Sequence, residues 1–231
     1  MHSWTGHLQD PSIRTIEDLR SVLADPDCPA TGPLYSMYRD LALTPTDRQW
    51  LGGHDLRYDI TVISSLDLCG EKAKTKGHYH PANPSGTGYP EIYEVIEGCA
   101  HYLLQKRDLT DAVLVRAVEG DLVLVPPSYG HVTINDGPCD LVIANMVSSR
   151  FESEYGEYES RRGAAYYELS DGEIIPNPCY ERVPALREAD AGPLLDSVPV
   201  LEGPLYELLG NDILEFLNRP EEYPSLFRGF P

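Results

Sequence analysis

Between about residue 58 and residue 169 the chain is a succession of short β-rich runs cut by turns, and no other feature restricts its fold so strongly. The runs read YDITVISSL, EIYEVIEG, AHYLLQK, AVLVRAV, DLVLVPP, HVTIND, DLVIANMV and AYYEL, rich in branched and aromatic residues. Glu97-Gly98, Glu119-Gly120 and Asp136-Gly137-Pro138 punctuate them, and no helical pattern of useful length intervenes. A parallel sheet needs long crossovers, so this spacing predicts an all-β antiparallel barrel, closed or sandwiched. At 231 residues the chain is long enough for one such domain with decorations.

The flanks read differently. In TIEDLRSVLAD, Ile16, Leu19, Val22 and Leu23 form a helical stripe that Thr15 can cap, with Asp18 three residues on. After Asp171 the chain turns rich in proline and acid, then offers Leu205, Leu208, Leu209 and Leu214 as one face of a broken helix. The expected division is an N-terminal extension over 1–57 with a short helix, a barrel carrying the site over 58–170, and a Pro-rich extension over 171–231 with a short helix.

Cys28, Cys69, Cys99, Cys139 and Cys179 are widely and irregularly spaced, which predicts reduced, mostly buried thiols. No apolar run is long enough for a membrane span and the N-terminus has no secretory pattern, so the expected location is the cytoplasm. A formal charge of -19 repels phosphate backbones and anionic lipid, so neither nucleic acid nor membrane is expected as a partner. Against that background, three of the four lysines, Lys72, Lys74 and Lys76, fall in EKAKTKGHYH. Such charge can guide an anionic substrate.

The same segment carries the strongest chemical signal. His78 and His80 are two residues apart, a spacing that sends both imidazoles to one face of a strand. A loop with Pro81, Pro84, Gly86, Gly88 and Pro90 can return the chain so that Glu91 meets them, and His131 follows GDLVLVPPSYG. Three histidines and one carboxylate leave positions open on a divalent ion, with iron, manganese, nickel or zinc suited to the set.

His78-x-His80, Glu91 with Gly98, Gly120 with Pro126, and His131 with Asn135 together resemble the two motifs of the cupin family. The resemblance implies a double-stranded β-helix, a jelly-roll barrel with the metal inside. This sequence departs in a long loop between His80 and Glu91, in the placement of Gly70, and in Ser128 where glycine is expected. More narrowly, TKGHYH, EIYEVIEG, Leu103 to Gln105, MYRDLAL and LRYDITVI resemble the cupin-type glucose-6-phosphate isomerases of archaea and some bacteria, from about residue 15 to 169.

That resemblance implies metal ligands His78, His80, Glu91 and His131, iron(II) first among the ions, and catalytic roles for Glu91 and Tyr93. It implies that Thr61, Thr75 and Gly77 hold the substrate phosphate with Lys76 adding charge, that Tyr93 and Tyr155 stand beside the substrate, and that the protein is a homodimer. Val147 and Ser153 stand where the best-known relatives carry a tyrosine and a histidine, which leaves another phosphosugar open as substrate. The implied reaction interconverts glucose 6-phosphate and fructose 6-phosphate, through proton transfer by Glu91 or a hydride shift. A mononuclear iron dioxygenase is the rival from another reaction class, since the same ligands can hold iron.

Overall fold

The computed structural model describes residues 4–191 and 203–228. Two main sheets enclose one apolar interior. The six-stranded sheet runs β1 (Ser12–Thr15), β2 (Pro33–Tyr38), β3 (Leu56–Ile63), β9 (Leu141–Ser148), β4 (Glu91–Glu97), β7 (Leu122–Val125). The four-stranded sheet runs β12 (Leu186–Asp190), β6 (Ala112–Val118), β5 (Cys99–Lys106), β8 (Tyr129–Asn135). A small hairpin joins β10 (Tyr166–Glu168) to β11 (Ile174–Pro176).

All the runs read from the sequence between 58 and 169 form strands. β4 lies between β9 and β7, and β5 between β6 and β8, so the chain crosses from one sheet to the other after β4, β6, β7 and β8, as a jelly roll requires. The ladders do not close into one hydrogen-bonded barrel, and the sandwiched form of the expectation is the one observed. Gly98 and Gly120 take φ of 99° and 90°, where a side chain would be strained, and they end β4 and precede β7. Ser128 holds φ of 71° at the position where the motif has glycine, so the turn before β8 keeps its left-handed residue despite the substitution.

The flanks are tied into these sheets. β1 and β2 pair antiparallel and extend the six-stranded sheet through β3, while β12 runs parallel to β6. Thr15 makes the capping box with Asp18, but α1 is only Ile16–Leu19 and continues as a 3-10 turn over Arg20–Val22. A second helix, α2 (Pro45–Gly53), begins on Thr44 with a capping box to Asp47, a signal the sequence carries without a long apolar stripe behind it. A third, α3 (Gly156–Ser160), follows Tyr155.

The expected C-terminal helix is instead two 3-10 turns, Leu205–Leu208 and Asp212–Leu217. Leu205, Leu208 and Leu214 are buried as the stripe implied, while Leu209 is half-buried. With Phe216 and Leu217 they cover Ile60, Ile92, Leu124, Ala144 and Met146 on the outer face of the six-stranded sheet. This explains why every residue of β9 is buried, because its alternate side chains serve two cores. Each large apolar side chain so covered contributes about 1.5–3 kcal/mol.

The cysteine expectation is corrected. Cys28 and Cys69 form a disulfide across a sequence separation of 41, and Cys99, Cys139 and Cys179 are exposed. The pairing is non-local: the segment after α1 packs beside the loop that follows β3, where the Ala24 amide also bonds Glu71, and spacing alone does not reveal that neighbourhood.

Candidate metal centre

β4, β8 and the irregular segment between β3 and β4 bring His78, His80, Glu91 and His131 to one point. Their ligand atoms lie within 4.8 Å of one another. His78 reaches the site because its backbone bridges to His131 on β8, with His78 N–H donating to the His131 carbonyl at 3.3 Å and the reverse bond at 3.1 Å. The loop of 81–90 returns the chain as its prolines and glycines suggest, with Ala82 bridging to Gly88 and the Tyr89 amide bonding Pro81.

The distances fit a divalent ion. Glu91 Oε2 is 3.3 Å from both His80 Nε2 and His131 Nε2, and the Nε2 atoms of His78 and His80 are 3.3 Å apart. Three imidazole nitrogens and a carboxylate that converge so closely would repel through their lone pairs unless positive charge sits among them. His80 Nδ1 faces the Tyr89 carbonyl at 2.9 Å, which fixes the proton there and leaves Nε2 free to ligate. Asn145 donates to Glu91 Oε1 at 2.7 Å and orients the carboxylate. His131 Nδ1 is buried and has no hydrogen-bond partner among the described residues.

Protonation states agree. Burial, then the neighbouring His131 and His80, hold the His78 imidazole well below its ordinary value, and burial lowers His131 against the pull of Glu91. Burial acts to raise Glu91, yet the adjoining His131 and His80 rings outweigh it and keep the carboxyl well below the usual range. Neutral imidazoles and an ionised carboxylate are the ligating forms. Tyr93 is pushed well above its ordinary value by burial and then by the Glu91 charge, so its hydroxyl stays protonated, 2.8 Å from His131 Nε2.

The site opens into a cavity of about 440 Å³. Thr61, Thr75, Lys76, Tyr93 and Tyr155 line it, as do Val147 and Ser153. Gly77 does not: a Cβ there would meet the Tyr158 ring at 2.4 Å and Val132 at 2.6 Å, so its lack of side chain serves packing beneath the site. Thr75 Oγ1 accepts from the Thr133 amide at 3.0 Å. Of the lysine cluster only Lys76 lines this cavity. Lys74 is buried against Glu71 and the Val22 carbonyl, and Lys72 pairs with Glu168 at 2.5 Å and with Asp136. All three expected guiding charges are thus ion-paired, Lys72 and Lys74 away from the cavity and Lys76 with Glu159 at its wall.

The sequence reading passed over Arg39, Arg57, Asp59 and Asn145, all of which line the cavity. Period-two alternation along LRYDITVI carries the signal, since Arg57, Asp59 and Thr61 share one face of β3.

A family model described as Glucose-6-phosphate isomerase (GPI) matches residues 8–185. The glucose-6-phosphate isomerase of Thermococcus litoralis is 26% identical over 121 residues, which is 52% of this chain and 61% of that protein. That of Thermococcus kodakarensis is 29% identical over 126 residues, 54% of this chain and 64% of that protein. The chain therefore spans about three-fifths of the length of these relatives. Among solved structures, a deletion mutant of oxalate decarboxylase from Bacillus subtilis superposes with a TM-score of 0.40 at 19% identity, over 54% of this chain and 28% of that one. So loose a superposition carries no argument. The family match spans most of the chain and takes in all four converging ligands, and this chain belongs to the glucose-6-phosphate isomerase family.

Proposed function

We propose that the chain is a metal-dependent aldose–ketose isomerase that interconverts glucose 6-phosphate and fructose 6-phosphate. The convergence of His78, His80, Glu91 and His131 on one point inside a polar cavity is the observation that carries this reading. A divalent ion there, iron(II) first and manganese, nickel or zinc next, supplies Lewis-acid polarisation of adjacent substrate oxygens.

The chain's own residues divide the remaining work. Isomerisation moves one hydrogen from C2 to C1, which requires a proton carrier between the two carbons. Glu91 is the carboxylate at hand. Its Oε1 is held by Asn145 and its Oε2 by two imidazoles, so it acts as base through whichever oxygen the substrate frees. The protonated Tyr93 hydroxyl, buried beside His131, donates to and accepts from a substrate hydroxyl as protons move. Tyr155 lies beside His78, ring centroids 5.3 Å apart and planes tilted by 41°, and forms the side wall against which the sugar lies. Thr61, Thr75 and Lys76 add donors along the cavity. Cytoplasmic location and a homodimer complete the proposal. Sedimentation of the purified chain checks the dimer.

The test is to strip the protein with a chelator, reload it separately with each ion and follow fructose 6-phosphate conversion by a coupled assay. Turnover that returns with metal and is absent in His80→Ala supports the reading. A metal-loaded protein without turnover sinks it.

A further inference from the structure

Among the described residues, Lys76, Arg39 and Arg57 are the Lys and Arg side chains that line the cavity, and they differ in what they have left to give. Lys76 Nζ is 2.5 Å from Glu159 Oε1, so its charge is already answered. Arg39 and Arg57 share one carboxylate: Arg39 Nη1 lies 3.1 Å and Arg57 Nε 2.8 Å from the same Asp59 oxygen, and Asp59 also accepts from the Asp40 amide at 2.8 Å. Two guanidiniums against one acid leave a surplus positive charge on this wall. The Asp59 side chain is 3% exposed while Arg39 and Arg57 are 41% and 29% exposed, so a buried anchor holds two forks that still meet solvent.

The register places this unit opposite the reacting groups. Arg57 pairs with Val147 on β9, and Val147 pairs with Glu91 on β4. The three residues share one row and all line the same cavity. Two strand spacings separate the outer pair, roughly 10 Å. That span suits a ligand with its anion at the guanidiniums and its reacting carbons at Glu91. Glu152, the remaining acid of the lining, is exposed at the rim.

We propose that Arg39 and Arg57, held by Asp59, form the anion-binding point of the cavity and take the phosphate of the sugar phosphate in place of Lys76. The proposal rests on the phosphosugar reading above. A guanidinium fork matches phosphate geometry, and this local surplus is what an anion meets in a chain whose formal charge is -19.

Titration of the metal-loaded protein with inorganic phosphate by calorimetry tests it without reference to turnover. Arg57→Gln weakens phosphate binding about tenfold or more, as loss of a charge-assisted bond predicts, and Lys76→Gln changes it by less than about threefold. Because Arg57→Gln leaves Asp59 with one partner fewer, Arg39→Gln, which keeps the Arg57–Asp59 pair, is measured beside it and shows a comparable loss in a folded protein. Equal loss at Lys76 and Arg57, no loss at Arg57, or no phosphate binding by the parent protein overturns the assignment. The phosphate titration stands even where fructose 6-phosphate is not converted, so failure of the isomerase reading is separately visible.

Discussion

Two clusters in this molecule combine histidine with carboxylates, and they are built to opposite ends. His78, His80, Glu91 and His131 converge with no protein cation among them. His101, Asp136 and Glu168 also lie close together, but Lys72 already bonds both acids. His101 has Nδ1 2.9 Å from Glu168 and Nε2 3.2 Å from Asp136, so the ring is held between two acids that Lys72 already pairs. Proximity of ligand-type residues is thus a weak criterion. What separates a metal centre from a structural ion-pair network is whether the lone pairs are spoken for and whether the charge is already balanced.

The sharpest way to break this comparison is to remove a ligand from each cluster. His131→Ala lowers divalent-ion affinity by more than about a hundredfold, beyond the range seen for supporting residues, whereas His101→Ala leaves it within about threefold. Dialysis followed by metal analysis reads both. A smaller effect is expected one shell out: Asn145→Ala frees Glu91 Oε1 and weakens metal binding about 10- to 100-fold, with folding retained by circular dichroism.

Packing beneath the first cluster gives the next effect. Gly77→Ala forces a methyl against the Tyr158 ring and costs about 1–3 kcal/mol, read as a lower denaturation midpoint at unchanged metal stoichiometry.

The second cluster answers to pH instead of metal. Burial acts to raise Glu168, but hydrogen bonds from His101 and Lys72 outweigh it, so its folded value lies below the ordinary 4.5. A depressed carboxyl contributes stability that is present above its unfolded value and is lost as pH falls through the folded one. Thermal melts taken from pH 5 downward therefore decline more steeply for the parent than for Glu168→Gln. Identical slopes contradict the network.

Much of this was legible because it is local. Alternation and turn residues disclosed every strand between 58 and 169, and the two-residue spacing of His78 and His80 put both rings on one side. Glu91 and His131 were legible through motif spacing. The rest depends on contacts between distant segments. β1 and β12 are edge strands and β2 lies one strand in, all three half-exposed and paired with segments elsewhere in the chain, and Cys28 finds Cys69 across 41 residues. The Lys72 and Lys74 charges looked available because their partners Glu168, Asp136 and Glu71 are chosen by the fold. Arg57 and Asp59 showed the alternation of β3 but not that Arg39 reaches the same carboxylate.

On the proposed reading the first cluster holds a metal and the second does not. Titrating chelator-stripped protein with nickel or zinc by calorimetry tests it most directly. One ion per chain, lost in His131→Ala and kept in His101→Ala, is the predicted result. Two ions per chain, or one that survives His131→Ala, contradicts it.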